Sequence, residues 1–160
     1  MSIVKNIIFV FFAFIISSCS FNTLDNFKSK KNYYVEIDTP NDRYNTYLGE
    51  NLKRLFFAKV NLKEIYILKT AIIFQSTNTL SINGNNSLKS TKAKIRYELI
   101  NKKSNKIIKS GSIITNPTLS ATSSSLYSQQ KSIEHIKERL VKNSAKSLFM
   151  RINIILSKLS

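Results

Sequence analysis

The spacing of apolar residues changes its period several times along the chain, and these changes divide the sequence into strands and helices. Tyr33 to Ile37 alternates apolar with polar residues, which predicts a short strand. Between Tyr44 and Phe56 the apolar residues recur every three or four positions, as on one face of an amphipathic helix. From Glu64 to Phe74 the chain is apolar enough for parts of both faces to be buried, which predicts a central strand.

The residues before the first helix indicate where it begins. Thr39 carries a hydroxyl that can cap a helix, and Pro40 suits the first helical position. Asp42 then falls at the third position, where a carboxylate interacts favourably with the helix dipole. The sequence therefore predicts a helix capped by Thr39.

Two more strands follow, separated by turns. Ser81 to Ser87, which contains Asn-Gly, predicts a hairpin connection. Apolar and charged residues alternate from Lys92 to Leu99, which predicts a strand with one buried and one solvated face. Asn101 to Asn105 is a second turn. Ile107 to Ile114 is the next strand, and Gly111 within it indicates a bulge or a close approach of another group to the backbone.

The last element is a helix of about 30 residues that starts near Leu126. The complete order is strand, helix, three strands, helix, which predicts an α+β fold with a four-stranded β-sheet and two α-helices packed on one face. The apolar stripe of the last helix comprises Ile133, Ile136, Leu140, Ala145, Leu148, Ile152 and Ile155.

The N-terminus has the features of an export signal. Lys5 precedes an unbroken apolar run from Ile7 to Ile16. This run is about half as long as a bilayer-spanning helix, so it fits a cleaved signal peptide better than a retained anchor. We therefore predict a signal peptide at residues 1–18, a polar tether at residues 19–31 and a folded domain at residues 32–160.

The residues at the predicted cleavage point resemble the lipobox of bacterial lipoproteins. Ile16, Ser17 and Ser18 place an aliphatic and two small residues before Cys19, the only cysteine of the chain. The resemblance implies that Cys19 carries lipid, including palmitate, and that this lipid anchors the protein to a membrane. Ser20, in place of an aspartate, favours sorting to the outer membrane.

Composition narrows the possible chemistry. One Cys and one His exclude an intrachain disulfide framework and the common multi-residue zinc sites, and the sequence indicates no cofactor and no metal. The net charge of +16 would suit nucleic acid. Because an exported chain does not meet nucleic acid, we expect lipopolysaccharide phosphates to be the anionic partner. Alternatively, the lysine excess reflects the base composition of an AT-rich genome.

Catalysis is not expected. His135 lies beside Glu134 and Glu138 on the last helix, but no Ser or Cys nucleophile can be placed against it from the sequence. Ser123 to Ser125 lacks the flanking glycines of a nucleophile elbow and is interpreted as a loop and a helix cap. The sequence therefore predicts a protein that is not an enzyme.

A lipobox followed by this order of elements resembles the LptE family of lipopolysaccharide-assembly lipoproteins, in particular its alphaproteobacterial members. The resemblance extends from Cys19 to about Leu156. It is most specific in Val35 to Phe57, a strand that leads into a helix, and in Ser120 to Ile152, where a serine-rich segment and Tyr127 precede the long last helix.

The resemblance implies a Gram-negative protein that plugs the lumen of the outer-membrane barrel LptD, assists the folding of that barrel and contacts lipopolysaccharide. A different binding lipoprotein is the alternative, either an auxiliary lipoprotein of an ABC-type lipid transporter or an activator of a peptidoglycan synthase. We expect the lipopolysaccharide contacts at the two hairpin ends. The residues concerned are Lys89, Lys92 and Lys94 at one end and Lys102, Lys103 and Lys106 at the other.

Overall fold

The computed structural model describes residues 33–57, 64–80, 87–120 and 125–159. These residues belong to one compact unit, Asn32–Ser160. The predicted signal peptide, the tether and Cys19 lie outside the described residues, as do the Asn-Gly turn and most of the serine-rich segment before the last helix.

The described elements follow the predicted order, with one short strand added after the fourth. In the sheet, β1 runs parallel to β2, and the remaining pairs are antiparallel in the order β1-β2-β3-β4. The short β5 pairs with β3 beyond the end of β4. The elements are β1 Tyr33–Asp38, α1 Arg43–Phe56, β2 Glu64–Leu80, β3 Ser87–Asn101, β4 Lys106–Ile114, β5 Thr118–Ser120 and α2 Leu126–Ser157.

The core forms between the two helices and one face of the sheet, so the predicted α+β fold is confirmed. In β3, Ala93, Ile95, Tyr97 and Leu99 are all buried, as the alternation predicted. They contribute to one apolar cluster with Leu48, Leu52, Leu140, Leu148 and Ile152 of the helices. The predicted stripe of α2 is buried or half-buried along its described length. Each helix thereby removes one apolar face from water.

The first helix begins later than predicted, and Thr39 is not its cap. Asp42 holds that position, because its carboxylate accepts hydrogen bonds from the backbone N–H groups of Tyr44 and Asn45, each at 3.1 Å. Thr39 instead packs over the helix: a Cβ added at Gly49 would lie 2.9 Å from its hydroxyl oxygen. Thr and Asp can both cap a helix, and here Thr39 packs against Gly49 while Asp42 caps α1.

A buried side chain joins α1 to the sheet. Asn45 is 6% exposed, and its Oδ1 accepts from the backbone N–H of Ile72 at 2.7 Å. Its amide nitrogen donates to Asp42 Oδ2 at 2.6 Å. The last pair between β1 and β2 is Asp38 with Lys69. Asn45 therefore bonds the backbone of β2 just beyond the point where its neighbouring strand ends.

Strand β2 is central, as predicted, but it is buried mainly on one face. Tyr66, Leu68 and Ile72 are buried, whereas Ile65 and Ile73 on the other face are 37% and 45% exposed. Ile67 and Ala71 on that face are half-buried, so the expectation that parts of both faces are buried holds there and fails at Ile65 and Ile73. Both helices lie on the same side of the sheet, so the β2 side chains that point to the other side have no helix to cover them.

Of the two interpretations of Gly111, a bulge or a close approach to the backbone, the structure shows the close approach. A Cβ at Gly111 would lie 2.9 Å from the hydroxyl oxygen of Tyr97, so the ring of Tyr97 packs over the bare backbone of β4. The irregularity of the β3/β4 ladder lies elsewhere, between Leu99 and Ile100. A bulge and a glycine both disturb a ladder, and here they occur at different places.

We predict that Asn45→Ala lowers the free energy of unfolding by about 2–3 kcal/mol, because the buried N–H of Ile72 loses its acceptor. Urea unfolding of the protein measures the change. Asn51→Ala is the matched control in the same helix, where the Asn51 amide donates to the Tyr47 carbonyl oxygen at 2.7 Å. The control should change the free energy by less than about 0.5 kcal/mol. Equal losses in the two variants would contradict the bridging role.

Acid should weaken the cap of α1. Hydrogen bonds from the Asn45 side chain, and then from the backbone N–H groups of Asn45 and Tyr44, hold the pKa of Asp42 below its usual value of 3.8. A carboxyl whose pKa is lowered by folding stabilises the fold fully above its usual pKa. That contribution is lost as the pH falls through the lowered value.

Asp42→Asn keeps an oxygen that can cap the helix but cannot titrate. We predict that its melting temperature falls less than that of the unsubstituted protein between about pH 5 and about pH 2. Thermal unfolding followed by circular dichroism at the two pH values measures the difference. Asp38→Asn neutralises an exposed carboxylate at the end of β1 and should follow the unsubstituted protein. The cap is not the titrating element if both variants behave alike.

Candidate binding surface

Neither helix covers the second side of the sheet, which we call the open face. In β3 the open face carries Lys92, Lys94, Arg96 and Glu98, because the residues between them point into the core. Directly paired residues of neighbouring strands share a face. The register therefore adds to the open face Glu36, Asp38, Ile67, Lys69, Ala71, Ile73, Ile100, Ile107, Ser110, Ser112 and Ile114.

A band of charged side chains crosses the middle of the open face. Asp38, Lys69, Lys94, Arg96 and Glu98 line an open depression of about 690 Å³. The ion pairs found among the described residues involve none of these five side chains. The band therefore combines three cations and two carboxylates that are available to a partner.

Apolar side chains flank the charged band at both ends of the open face. Towards the β3/β4 turn, Ile65 is 37% and Ile107 is 55% exposed. Towards the other end, Ile73 is 45% and Ile114 is 59% exposed, with Lys94 between them in the register. The surface is thus amphiphilic, and not uniformly hydrophilic.

The structure separates the six lysines predicted to contact lipopolysaccharide into two distant groups. Lys92 and Lys94 lie on the open face, whereas Lys89 has the opposite parity and lies on the other face of β3. Eight residues of extended chain, about 27 Å at 3.4 Å per residue, separate Lys94 from Lys102. One small headgroup cannot contact both groups.

The second group lies in and after the β3/β4 turn. Lys103 and Lys106 are exposed. The ammonium group of Lys102 lies 2.5 Å from Glu36 Oε1, which ties the turn to β1. Two members of this group are therefore open to a ligand, and the third already has an acidic partner.

The two glutamates beside His135 have structural partners. His135 is exposed on α2, and its neighbours Glu134 and Glu138 form ion pairs with Arg43 of α1 at 3.6 and 3.2 Å. The two carboxylates therefore join the helices. The described residues contain no group of three or more His, Cys, Asp and Glu side chains placed to bind a metal.

Tyr33 of β1 and Tyr66 of β2 donate hydrogen bonds through their hydroxyl groups. Tyr33 donates to Asn153 Oδ1 of α2 at 2.8 Å, and Tyr66 donates to Glu64. Burial raises the pKa of Tyr33. Burial, followed by the Glu64 carboxylate, raises the pKa of Tyr66 to about 12. Both phenols therefore remain protonated at neutral pH and keep these bonds.

Sequence reasoning missed a second surface, at the outer edge of β4. A groove of about 730 Å³ lies between β4 and α2, and its lining includes Gly111, Met150, Arg151 and Ile154. Met150 and Ile154 are 54% and 51% exposed. Met150 and Ile154 are apolar residues outside the predicted stripe of α2, and this was the sequence signal that could have indicated the groove. No helix of the described part of the chain is long and apolar enough to cross a membrane.

Comparison with known proteins identifies the fold. No protein-family model and no curated protein sequence matches the chain. Among solved structures, rare lipoprotein B from Shewanella oneidensis gives a TM-score of 0.60 at 8% identity, over 79% of this chain and 97% of its own. A lipoprotein B from Nitrosomonas europaea gives 0.54 at 13% identity, over 81% and 90% of the two chains.

A lipoprotein candidate from Caulobacter crescentus gives a TM-score of 0.61 at 11% identity, over 84% of this chain and 98% of its own. At these identities the likeness concerns the fold. This chain has a fold that bacterial lipoproteins share. The matches cover nearly the whole of the other chains, so the likeness extends across the full α+β unit.

Proposed function

We propose that the protein is an outer-membrane lipoprotein, anchored through lipid on Cys19, that plugs an LptD-like β-barrel, assists its assembly and takes part in lipopolysaccharide assembly. The observation that carries this proposal is the open face, a charged surface on a small domain whose core is closed by both helices on the opposite side. The fold shared with bacterial lipoproteins supports the lipoprotein part of the proposal.

The geometry suits a plug for a physical reason. The lumen of a large membrane barrel is polar, so a domain inside it needs polar contacts over much of its surface. The charged band on the open face offers cations and carboxylates that the domain does not use internally. The proposed role is binding and assembly, and it is not enzymatic.

The exposed lysines support a role for lipopolysaccharide. Lys and Arg form charge-assisted hydrogen bonds with phosphate oxygens, and phosphates are the anionic groups of lipid A. Lys92 and Lys94 on the open face and Lys103 and Lys106 near the turn are placed to contribute such bonds. Because the groups are far apart, we propose two separate contact areas.

Capture of the partner from the native outer membrane tests the main proposal. Tagged full-length protein, extracted in a mild detergent, should bring down a large β-barrel in a complex that dissociates on heating. Mass spectrometry identifies the barrel. An ABC-type transporter or a peptidoglycan synthase in its place would favour the alternative, another kind of binding lipoprotein.

Cys19→Ala is the control for the anchor. We expect the unsubstituted protein to incorporate labelled palmitate and to sediment with outer membranes, and the variant to do neither, because the cysteine sulfur and the new N-terminus carry the lipid. Labelling of the variant would contradict lipidation at Cys19 and would leave the barrel proposal to the capture experiment.

We predict that reversing charge at either lysine group weakens binding to lipopolysaccharide in vitro by at least about fivefold, because favourable phosphate contacts become repulsive. One variant combines Lys92→Glu with Lys94→Glu, and the second combines Lys103→Glu with Lys106→Glu.

The matched control for these variants combines Lys142→Glu with Lys146→Glu on the exposed side of α2. It makes the same change in net charge. Binding is measured with immobilised lipopolysaccharide at fixed salt. Unchanged binding in both test variants would overturn the site assignment, and an equal loss in the control would show that only net charge matters.

A further inference from the structure

The backbone at the outer edge of β4 is free to pair with another strand. The N–H of Thr115 donates to the Ala93 carbonyl oxygen at 2.9 Å, so the backbone groups of Thr115 point towards β3. Along an antiparallel strand, the backbone N–H and C=O groups of successive residues point alternately towards the paired strand and away from it. Counting back along the register, Gly111 also faces β3, whereas the N–H and C=O groups of Ser110 and Ser112 point away from it.

The side chain of Arg151 confirms this direction. Its Nη1 donates to the backbone carbonyl oxygen of Ser112 at 3.2 Å from the side of α2. Within the described residues, no strand pairs with the outer edge of β4. Arg151 therefore satisfies one backbone acceptor of this edge, the one that an added strand would otherwise bond.

Both sides of this edge present apolar side chains. On the helix side, Met150 and Ile154 line the groove, and the ring of Tyr97 packs over Gly111 at its floor. On the open face, Ile107 and Ile114 are more than half exposed. Alternate residues of an added strand would contact one set and then the other.

The charge around the edge is predominantly positive. The charged residues lining the groove are Lys109 and Arg151. On the open face, Lys94 and Arg96 stand beside β4 in the register, with Glu98 as the acidic residue. Four cations against one carboxylate favour an occupant that carries acidic side chains.

We propose that the outer edge of β4 is a docking site for an extended segment of a partner protein, in which acidic and apolar residues alternate. The segment adds to the sheet as a strand, forms hydrogen bonds with the outward backbone groups of Ser110 and Ser112 and displaces Arg151 from the Ser112 carbonyl oxygen. A second copy of this chain fits less well, because its β4 would bring Lys106 and Lys109 and no acidic residue to an edge that is already positive.

The test uses full-length protein in a nonionic detergent and a fluorescent nine-residue peptide in which Glu alternates with Val. We expect fluorescence anisotropy to give a Kd below about 1 mM, and a peptide with Lys in place of Glu to bind at least about tenfold more weakly. The assay contains no barrel, so its result is independent of the capture experiment on the proposed function.

Ser112→Pro removes an N–H that points outward, so it blocks the added strand and spares the β3/β4 ladder. We expect it to weaken binding of the Glu peptide at least about tenfold, with Ser112→Ala as the matched control that retains binding. Thermal unfolding verifies that both variants fold. Ser110→Pro repeats the test at the second outward position if Ser112→Pro does not fold.

Charge reversal supplies an independent readout. Lys109→Glu leaves three cations against two carboxylates, so it should reduce the preference for the Glu peptide over the Lys peptide without altering the backbone. The proposal is overturned if the Glu peptide does not bind, if it binds equally to the proline and alanine variants, or if Lys109→Glu leaves the preference unchanged. Light scattering that shows a dimer abolished by Ser112→Pro would overturn it in favour of a second copy.

Discussion

The hydrogen bond between the Asn45 side chain and the backbone of Ile72 determines how the two layers of the domain fit together. Strand β1 ends at Asp38, whereas β2 continues for another eleven residues, to Leu80. An unpaired amide in the buried part of β2 would be costly. Asn45 supplies the acceptor from α1 and so fixes the position of that helix on the sheet. The same side chain also binds Asp42, which caps the helix, so helix initiation and sheet pairing share one residue.

The placement of α1 in turn positions α2. Phe56 packs against Phe149 at 4.9 Å between ring centroids, and Arg43 joins both Glu134 and Glu138. These contacts lie at opposite ends of α1, so the helices meet along the length of α1. With both helices on the same side of the sheet, the open face and the edge of β4 remain outside the core. The proposed binding surfaces are therefore a consequence of the layer arrangement.

Local periodicity was sufficient to predict the order of elements and the buried face of β3, because alternation and helical spacing depend only on neighbours in the sequence. It could not decide whether Thr39 or Asp42 caps α1, since that choice depends on the contact of Thr39 with Gly49 across the loop. Its prediction of burial on both faces of β2 fails at Ile65 and Ile73, because an apolar sequence does not show on which side the helices pack.

The two candidate binding surfaces also differ in how far the sequence predicts them. The sequence was sufficient to place Lys92 and Lys94 on a solvated face, since the two residues alternate with apolar ones. The outward direction of the backbone groups of Ser110 and Ser112 was not predictable, because the register decides which residues of a strand bond its neighbour. Arg151 contacts Ser112 from a residue 39 positions away. A tertiary contact of this kind has no local sequence signal.

The use of the few acidic residues explains why so much positive charge stays available. Asp42 caps α1, Glu64 accepts from Tyr66, and Glu36, Glu134 and Glu138 pair with cations of other elements. Five of the nine acidic groups thus stabilise the fold. Among the described residues, Lys102 and Lys131 are the lysines that form ion pairs, and the repulsion among the positive charges is reduced by salt or by an anionic partner. Binding such a partner therefore also relieves a cost that the free domain bears.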